Sequence, residues 1–168
     1  PRVLNMYEDF PFWAVFFKEL GFQVILSPQS SRQIYELGIE TIPSESECYP
    51  AKLSHGHVEW LIKKGVPFIF YPCIPYERNE VAGAGNHYNC PIVTGYSDVI
   101  RSSMSPDIPV DSPAITFADT GLLTKQCPNY LSSWGISKRD AEQAVNYALN
   151  DQKQYSSDIR RKAGNTVR

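Results

Sequence analysis

The chain has 168 residues, of which 42% are hydrophobic and 20% are charged, a balance typical of a globular domain with a sizeable core. The formal net charge of −2 argues against nucleic acid as the main partner. No run of about 18 apolar residues is present, so no membrane span is expected. A chain of this length suits a single domain, 1–168. Because it begins at Pro1 without a methionine and ends in a basic, polar stretch, we expect it to be a fragment of a longer protein. The chain is not a small secreted scaffold despite its four cysteines, so we expect a cytoplasmic location.

Helices and strands are predicted to alternate along the first 65 residues. Proline is favoured in the first turn of a helix and glycine just past its end, and serine is a common N-cap. These signals delimit four elements: a helix over 11–20, a buried strand over 22–26, a short helix capped by Ser30 or Ser31, and a helix over 50–64.

The second half adds further strands and a long last helix. Phe68–Tyr71 is apolar without alternation, as in a central parallel strand. Glu77–Asn89 is a predicted glycine-containing loop, Pro91–Thr94 and Ala114–Phe117 are shorter strands, and Ser137 begins the last helix. The alternation predicts an α/β fold: a doubly wound, mostly parallel sheet of the Rossmann or flavodoxin-like kind, with helices on both faces. Ligands of such sheets bind at the carboxyl ends of strands.

All four cysteines lie next to a proline or two residues from one. Cys48 precedes a predicted helix N-terminus, where exposed amides and the helix dipole lower a thiol pKa and favour an anionic ligand. Cys73 follows the predicted central strand, and Cys90 precedes the next strand, whereas Cys127 falls in a predicted loop and is the weakest candidate. Thiolates at strand ends are typical of a metal, iron–sulfur or redox centre. The alternative for each is a small buried hydrophobic residue.

Two other groups of residues favour structural roles. His55 and His57 are two residues apart on a predicted helix, so they point about 200° apart and cannot bind one ion. We expect one histidine to be buried and one solvated, with Gly56 allowing a helix or cofactor to approach closely. Glu45 and Glu47, beside Cys48, are interpreted as a solvated capping cluster, with a role as acid–base groups as the alternative.

Several segments together resemble a known superfamily. They are Pro1–Trp13 with the following Phe-Phe-Lys-Glu-Leu-Gly-Phe helix, Ile42–His57, Phe68–Pro75 and Asn89–Thr94. They resemble a domain of the (R)-2-hydroxyacyl-CoA dehydratase and benzoyl-CoA reductase superfamily. The closer similarity is to the domain of long CoA-substrate-specific enzyme activase proteins, where it follows an ATPase of the actin and hexokinase type. The resemblance is strongest over residues 1–100.

The resemblance implies an iron–sulfur protein of anaerobic metabolism. In that superfamily, cysteines hold a 4Fe–4S or double-cubane cluster, and an activator supplies a low-potential electron at the expense of ATP. The implied cluster ligands are Cys48, Cys73 and Cys90, with a further ligand from a later domain. The isolated chain is therefore expected to bind no cluster and to be inactive alone. The implied partners are the ATP-hydrolysing activator domain and a CoA thioester substrate, and a dimer is a possible assembly.

Three functions of different classes are therefore in competition. The leading hypothesis is an iron–sulfur component of an ATP-driven electron-transfer system, of the 2-hydroxyacyl-CoA dehydratase (lyase) or reductase type. The second is a non-catalytic α/β binding or docking module. The third is a thiol-redox or zinc protein, although the lack of a Cys-x-x-Cys motif argues against a zinc ribbon.

Overall fold

A computed structural model describes residues 1–79, 81 and 83–166. These residues divide into two compact units. Unit 1 comprises Pro1–Tyr7 and Ile25–Leu122, and unit 2 comprises Glu8–Val24 and Leu123–Arg168. The elements in chain order are α1 Met6–Glu19, α2 Arg32–Gly38, α3 Tyr49–Lys63, β1 Ile69–Phe70, α4 Pro91–Met104, β2 Val110–Asp111, α5 Thr120–Leu131 and α6 Lys138–Thr166, with 3-10 turns at Ile39–Thr41 and Ser132–Trp134. The expectation of a single domain stays a prediction.

The sheet of unit 1 is small and parallel. β1 pairs with β2 in parallel, beginning with Ile69 beside Val110. An isolated parallel bridge between Cys73 and Ala114 continues the pairing past the strand ends. A mixed, helix-rich α/β architecture with parallel pairing is therefore confirmed. Within the described residues the sheet has two strands, so the larger doubly wound sheet with helices on both faces stays a prediction.

Two of the predicted strands were wrong. Pro91–Thr94 is the first turn of α4, because Pro91 occupies the first helical position after the N-cap Cys90. Phe22–Leu26 lies outside any strand. Both are short apolar runs, which do not distinguish a strand from other buried backbone. Within the predicted strand Ala114–Phe117, Ala114 forms an isolated parallel bridge with Cys73.

Several predicted helix boundaries agree with the structure. Ser31 is the N-cap of α2, and its Oγ accepts a hydrogen bond from the Ile34 amide at 3.2 Å. Gly21 and Gly65 follow α1 and α3 with positive φ angles of 83° and 71°, a conformation that favours glycine at helix ends. α1 begins earlier than predicted and continues through Pro11.

In unit 2, Gln152 bridges the backbone of α1 beside Pro11. The Phe12 amide donates to Gln152 Oε1 at 3.0 Å, and Gln152 Nε2 donates to the Glu8 carbonyl at 3.0 Å. In an uninterrupted helix the amide of Phe12 would pair with the carbonyl of Glu8, four residues earlier. The buried side-chain amide of Gln152, which lies on α6, therefore bonds to both groups of that pair and joins α6 to α1.

In unit 1, α2 and α3 approach each other through glycines. A Cβ atom on Gly56 would lie 1.7 Å from the Ile34 carbonyl oxygen, and one on Gly38 would lie 2.2 Å from the Gly56 nitrogen. Both distances are far shorter than any real contact. The expectation that Gly56 admits a close neighbour is therefore confirmed, and the neighbour is helix α2.

The predicted loop Glu77–Asn89 includes positions 80 and 82, which lie outside the described residues. At its ends, Tyr76 and Tyr88 form an antiparallel bridge. No helix in the described ranges combines the length and the apolar character needed to cross a membrane.

Candidate functional site

The three predicted ligands lie at the ends of elements in unit 1. Cys48 is the N-cap of α3 and Cys90 is the N-cap of α4, and both are exposed. Cys73 is half-buried, just past β1, where its backbone pairs with Ala114. All are free thiols. Cys90 was expected before a strand, and the structure places it instead at a helix N-terminus, as it does Cys48.

Hydrogen bonds of one asparagine connect the backbone near Cys73 with the backbone near Cys90. Asn89, directly before Cys90, donates from its side chain to the Ile74 carbonyl at 2.8 Å. Its backbone amide donates to the Pro75 carbonyl at 2.9 Å. Ile74 directly follows Cys73, so the chain at the start of α4 is held against the chain that leaves β1.

Tyr96 connects the segment before Cys48 with both α3 and α4. It lies on α4 and is 1% exposed. Its hydroxyl contacts the carboxylate of Glu47, the residue directly before Cys48, and lies 3.1 Å from Nε2 of His55 on α3. Nδ1 of His55 lies 2.8 Å from Oγ1 of Thr41. Thr41, His55, Tyr96 and Glu47 thus form a continuous hydrogen-bonded chain.

The hydroxyl groups of Thr41 and Tyr96 set the directions of these hydrogen bonds. The Thr41 hydroxyl donates to the Gly38 carbonyl at 2.9 Å, so it accepts a hydrogen bond from Nδ1–H of His55. Tyr96 has a single hydroxyl proton for its two neighbours, Nε2 of His55 and the carboxyl of Glu47. That proton is donated to the carboxyl of Glu47, and the Tyr96 oxygen lies 3.1 Å from Nε2 of His55.

The surroundings of the network shift the pKa values of two of its groups. Burial lowers the pKa of His55, and the negative charge of Glu47 opposes that shift. Burial, the hydrogen bond to Glu47 and its charge all raise the pKa of Tyr96. The Tyr96 hydroxyl therefore stays protonated and can act as a hydrogen-bond donor.

His57 belongs to a different network. Its Nδ1 lies 2.8 Å from Ser27 Oγ and its Nε2 lies 3.0 Å from Ser30 Oγ. Ser27 Oγ also accepts from the Arg2 amide at 2.7 Å. Burial, together with the positive charges of the N-terminal amine and Arg2, lowers the pKa of His57 to about 4.

The expectation of one buried and one solvated histidine was wrong. His55 and His57 are both fully buried, because α3 packs against α2 and also against α4. The two imidazoles bond to separate sets of partners, as their spacing on the helix requires.

The environments of Cys73 and Cys127 disfavour a thiolate. Burial and the negative charge of Asp98 raise the pKa of Cys73. Burial raises the pKa of Cys127 to about 12. Cys127 is fully buried inside α5 and not in a loop as predicted, so it packs as a small hydrophobic residue.

Sequence reasoning missed Tyr96 and interpreted Glu47 as solvated. Glu47 is only partly exposed, and Tyr96 is 49 residues away along the chain. No local pattern marks either residue, since the contact depends on how α4 packs against α3. The only available signal was the position of Glu47 directly before Cys48.

The described part of the chain contains no group of three or more histidine, cysteine, aspartate or glutamate side chains placed to hold a metal ion. Cys48, Cys73 and Cys90 therefore do not form a complete metal site by themselves in this arrangement. Their chemistry suits an iron–sulfur cluster because thiolates are soft ligands, but their geometry does not supply three ligands together. Their role as ligands stays a prediction.

A family of known proteins matches the whole length of the chain. Residues 1–168 match the family described as CoA enzyme activase uncharacterised domain. No curated protein and no solved structure matches the chain. The family match extends past residue 100, where the resemblance seen in the sequence was strongest. The chain therefore belongs to the family of CoA enzyme activase uncharacterised domains.

Proposed function

We propose that this domain is the iron–sulfur component of an ATP-driven, low-potential electron-transfer system that acts on a CoA thioester or a similar small substrate, as in 2-hydroxyacyl-CoA dehydratases. Membership of the CoA enzyme activase family supports the CoA context. The observation that carries the proposal is the placement of the free thiols. Cys48 and Cys90 are exposed at the N-termini of two helices that contact each other, and Asn89 ties the backbone near Cys73 to Cys90.

The proposal requires a ligand from outside this chain, because the described residues do not bring three ligands together. Such a ligand would come from another domain or from a partner protein. Cys48 and Cys90 lie at the N-termini of α3 and α4, where the backbone amides and the helix dipole favour a bound anionic group. A bound cluster would supply one-electron transfer at low potential.

The proposed partner is an ATP-hydrolysing activator domain of the actin and hexokinase type, which supplies the electron. A cytoplasmic location and the larger doubly wound sheet of the superfamily belong to the same proposal. They follow from the resemblance in the cysteine-containing segments around Cys48, Cys73 and Cys90.

A docking module without a cofactor is the second candidate function. The incomplete metal geometry favours it, as does an exposed aromatic pair, Tyr76 and Tyr88, whose ring centroids are 5.0 Å apart. A thiol-redox function is less well supported, because reactive thiols need a lowered pKa and that of Cys73 is raised.

Ligand substitution in the anaerobically prepared full-length protein tests the proposal. We expect Cys48→Ser and Cys73→Ser each to lower iron and acid-labile sulfide and to abolish ATP-driven reduction. The reason is that a serine hydroxyl is a hard ligand that stays protonated at neutral pH. We expect a partial loss for Cys90→Ser, whose contribution can be shared with a ligand from elsewhere.

Cys127→Ser is the control, because Cys127 is buried in unit 2. The iron content of this variant should equal that of the unmodified protein. Circular dichroism must accompany each variant, since a buried hydroxyl without a partner costs about 1–3 kcal/mol. Full iron content and a normal visible spectrum in both Cys48→Ser and Cys73→Ser would show that the iron–sulfur proposal is wrong. Bound zinc in place of iron would support a zinc protein, and no metal at all would support the docking module.

A further inference from the structure

We propose that Tyr96 is a positioning residue that fixes the Cys48 thiol relative to the Cys90 thiol. The proposal rests on the proposed function for its purpose, since two ligands of one cluster must be held at a defined separation. The geometry itself is testable on iron-free protein.

Tyr96 connects the two thiols through two structural links, and the first link, from Cys90 to Tyr96, is the helix α4. Cys90 is the N-cap of this helix, and Tyr96 is six residues further along it. A helical rise of about 1.5 Å per residue places the two α-carbons about 9 Å apart along the helix axis. Tyr96 is part of the buried core cluster that includes Ile100 and Tyr71, so its side chain is held by packing.

The second part runs from the Tyr96 hydroxyl to Cys48. The hydroxyl contacts the carboxylate of Glu47, which is one peptide bond from Cys48. The Cys48 carbonyl accepts hydrogen bonds from the amides of Ala51 and Lys52 at 3.0 and 3.1 Å, which fix its backbone but not the direction in which the preceding residues enter. The side-chain hydrogen bonds of those preceding residues are exposed, such as the one from Lys52 to the Glu45 carbonyl. Exposed bonds compete with water and hold a segment weakly, whereas the bond to Tyr96 begins on a buried side chain.

A third contact prevents the Tyr96 ring from moving with the segment. The same hydroxyl lies 3.1 Å from Nε2 of His55, which is fully buried on α3 and held by Thr41 on its other side. Tyr96 therefore bonds both to the body of α3 and to the chain that enters it. Losing the hydroxyl should free the entering chain while the helices stay packed.

Tyr71 offers a matched control in the same core cluster. It is also 1% exposed, and its hydroxyl lies 3.2 Å from Ser54 Oγ. That bond leads to the interior of α3 and not to the segment before Cys48. Tyr71→Phe and Tyr96→Phe thus remove the same atom from similar surroundings, and only Tyr96→Phe cuts the proposed connection.

The test is a distance measurement by pulsed electron paramagnetic resonance on the 168-residue chain. Nitroxide labels are attached to the exposed thiols of Cys48 and Cys90 in a Cys73→Ser background, while Cys127 is fully buried and stays unlabelled. We expect Tyr96→Phe to raise the population outside the main distance peak about five-fold, the effect of one lost hydrogen bond. Tyr71→Phe should leave the distribution unchanged.

Two variants at Glu47 test whether Tyr96 acts through that residue. Glu47→Ala should broaden the distribution as Tyr96→Phe does, and the double variant should be no broader than either single variant. Glu47→Gln keeps an acceptor for the Tyr96 hydroxyl and should keep the narrow distribution.

An unchanged distribution in both Tyr96→Phe and Glu47→Ala would overturn the proposal. Equal broadening in Tyr71→Phe would also overturn it, because the effect would then be a general loss of stability. If Tyr96→Phe does not fold, the distance distribution of Glu47→Ala alone tests the proposal. This substitution removes the partner of the Tyr96 hydroxyl at a partly exposed position, where the loss of stability is smaller. None of these readings involves iron, so a failure of the iron–sulfur proposal would appear separately, in the metal content of the cysteine variants.

Discussion

The two compact units of this chain stabilise their interiors in different ways. Unit 1, which contains the three candidate ligands, buries polar side chains in its core, including His55, His57, Tyr71 and Tyr96. Unit 2 is built around aromatic rings, with Phe12, Trp13, Phe16 and Phe17 buried on α1. The contrast suggests that the polar core serves to place particular atoms, whereas the aromatic core serves mainly to stabilise.

Elementary energetics supports this division. Burying an apolar ring is favourable and nearly independent of direction. Burying an imidazole or a phenol costs free energy unless each polar atom has a partner in good geometry. A core of bonded polar groups therefore permits few alternative arrangements. In unit 1 such groups connect to the segment before Cys48 through Tyr96 and Glu47.

The largest effect on stability is expected from truncation of the aromatic core. Phe16 is fully buried, and its ring centroid lies 5.2 Å from that of Phe17 and 5.8 Å from that of Trp13. We expect Phe16→Ala to lower the free energy of unfolding by about 3–5 kcal/mol, from lost burial and the cavity that remains. Urea unfolding followed by tryptophan fluorescence measures this change.

Tyr147→Ala on α6 is the control, because that aromatic ring is 50% exposed and surface substitutions usually change stability by less than about 0.5 kcal/mol. Similar losses in Phe16→Ala and Tyr147→Ala would contradict the assignment of the aromatic cluster as the main source of stability in unit 2.

A pH-dependent effect is expected in unit 1. The pKa of His57 is about 4 in the folded chain, against an ordinary value of 6.5. Between these values the unfolded chain binds a proton that the folded chain does not, so stability is complete above pH 6.5 and decreases as the pH falls towards 4. The loss amounts to at most about 3 kcal/mol. Hydrogen exchange at pH 7 and pH 5, resolved by peptide, measures where protection is lost.

The two buried histidines, His55 and His57, both lie in unit 1, so the loss of protection should be greater there than in unit 2. His57→Gln is the control, since it removes one of the two groups whose pKa is lowered and should reduce the dependence to the part that His55 contributes. An unchanged dependence in His57→Gln would rule out His57 as its cause.

Local signals predicted local features of this fold, while long-range contacts could not be predicted. Ser31, Gly21 and Gly65 mark helix ends as their backbone preferences require. β2 is only two residues long and was not predicted, because its pairing with β1 depends on packing and not on its own sequence. The same limit applied to Pro91–Thr94, where β-branched residues suggested a strand but the preceding Cys90 caps a helix.

The candidate site shows the same limit. The positions of Cys48 at a helix N-terminus and Cys73 after β1 followed from neighbouring prolines and the apolar strand. The hydrogen bond between Glu47 and Tyr96 spans 49 residues, and no periodicity encodes it. Whether the three thiols hold a cluster depends further on atoms outside this chain.

The smallest expected change in the free energy of unfolding concerns a place in unit 2 where hydrogen bonds, and not apolar packing, fix the backbone. It therefore tests the contrast between the polar core of unit 1 and the aromatic core of unit 2. Gln152→Leu fills a similar volume but leaves the buried Phe12 amide without the Gln152 oxygen. We expect a loss of about 1–3 kcal/mol in the free energy of unfolding, because the substitution removes both hydrogen bonds of the Gln152 amide and each contributes about 0.5–1.5 kcal/mol. Gln154→Leu, two residues further along α6 and exposed, is the matched control. Urea unfolding of both variants, with amide exchange at Phe12, makes the measurement. Equal stability of the two variants would mean that the Gln152 amide contributes no more than a leucine side chain, and that unit 2 depends on apolar packing even beside Pro11.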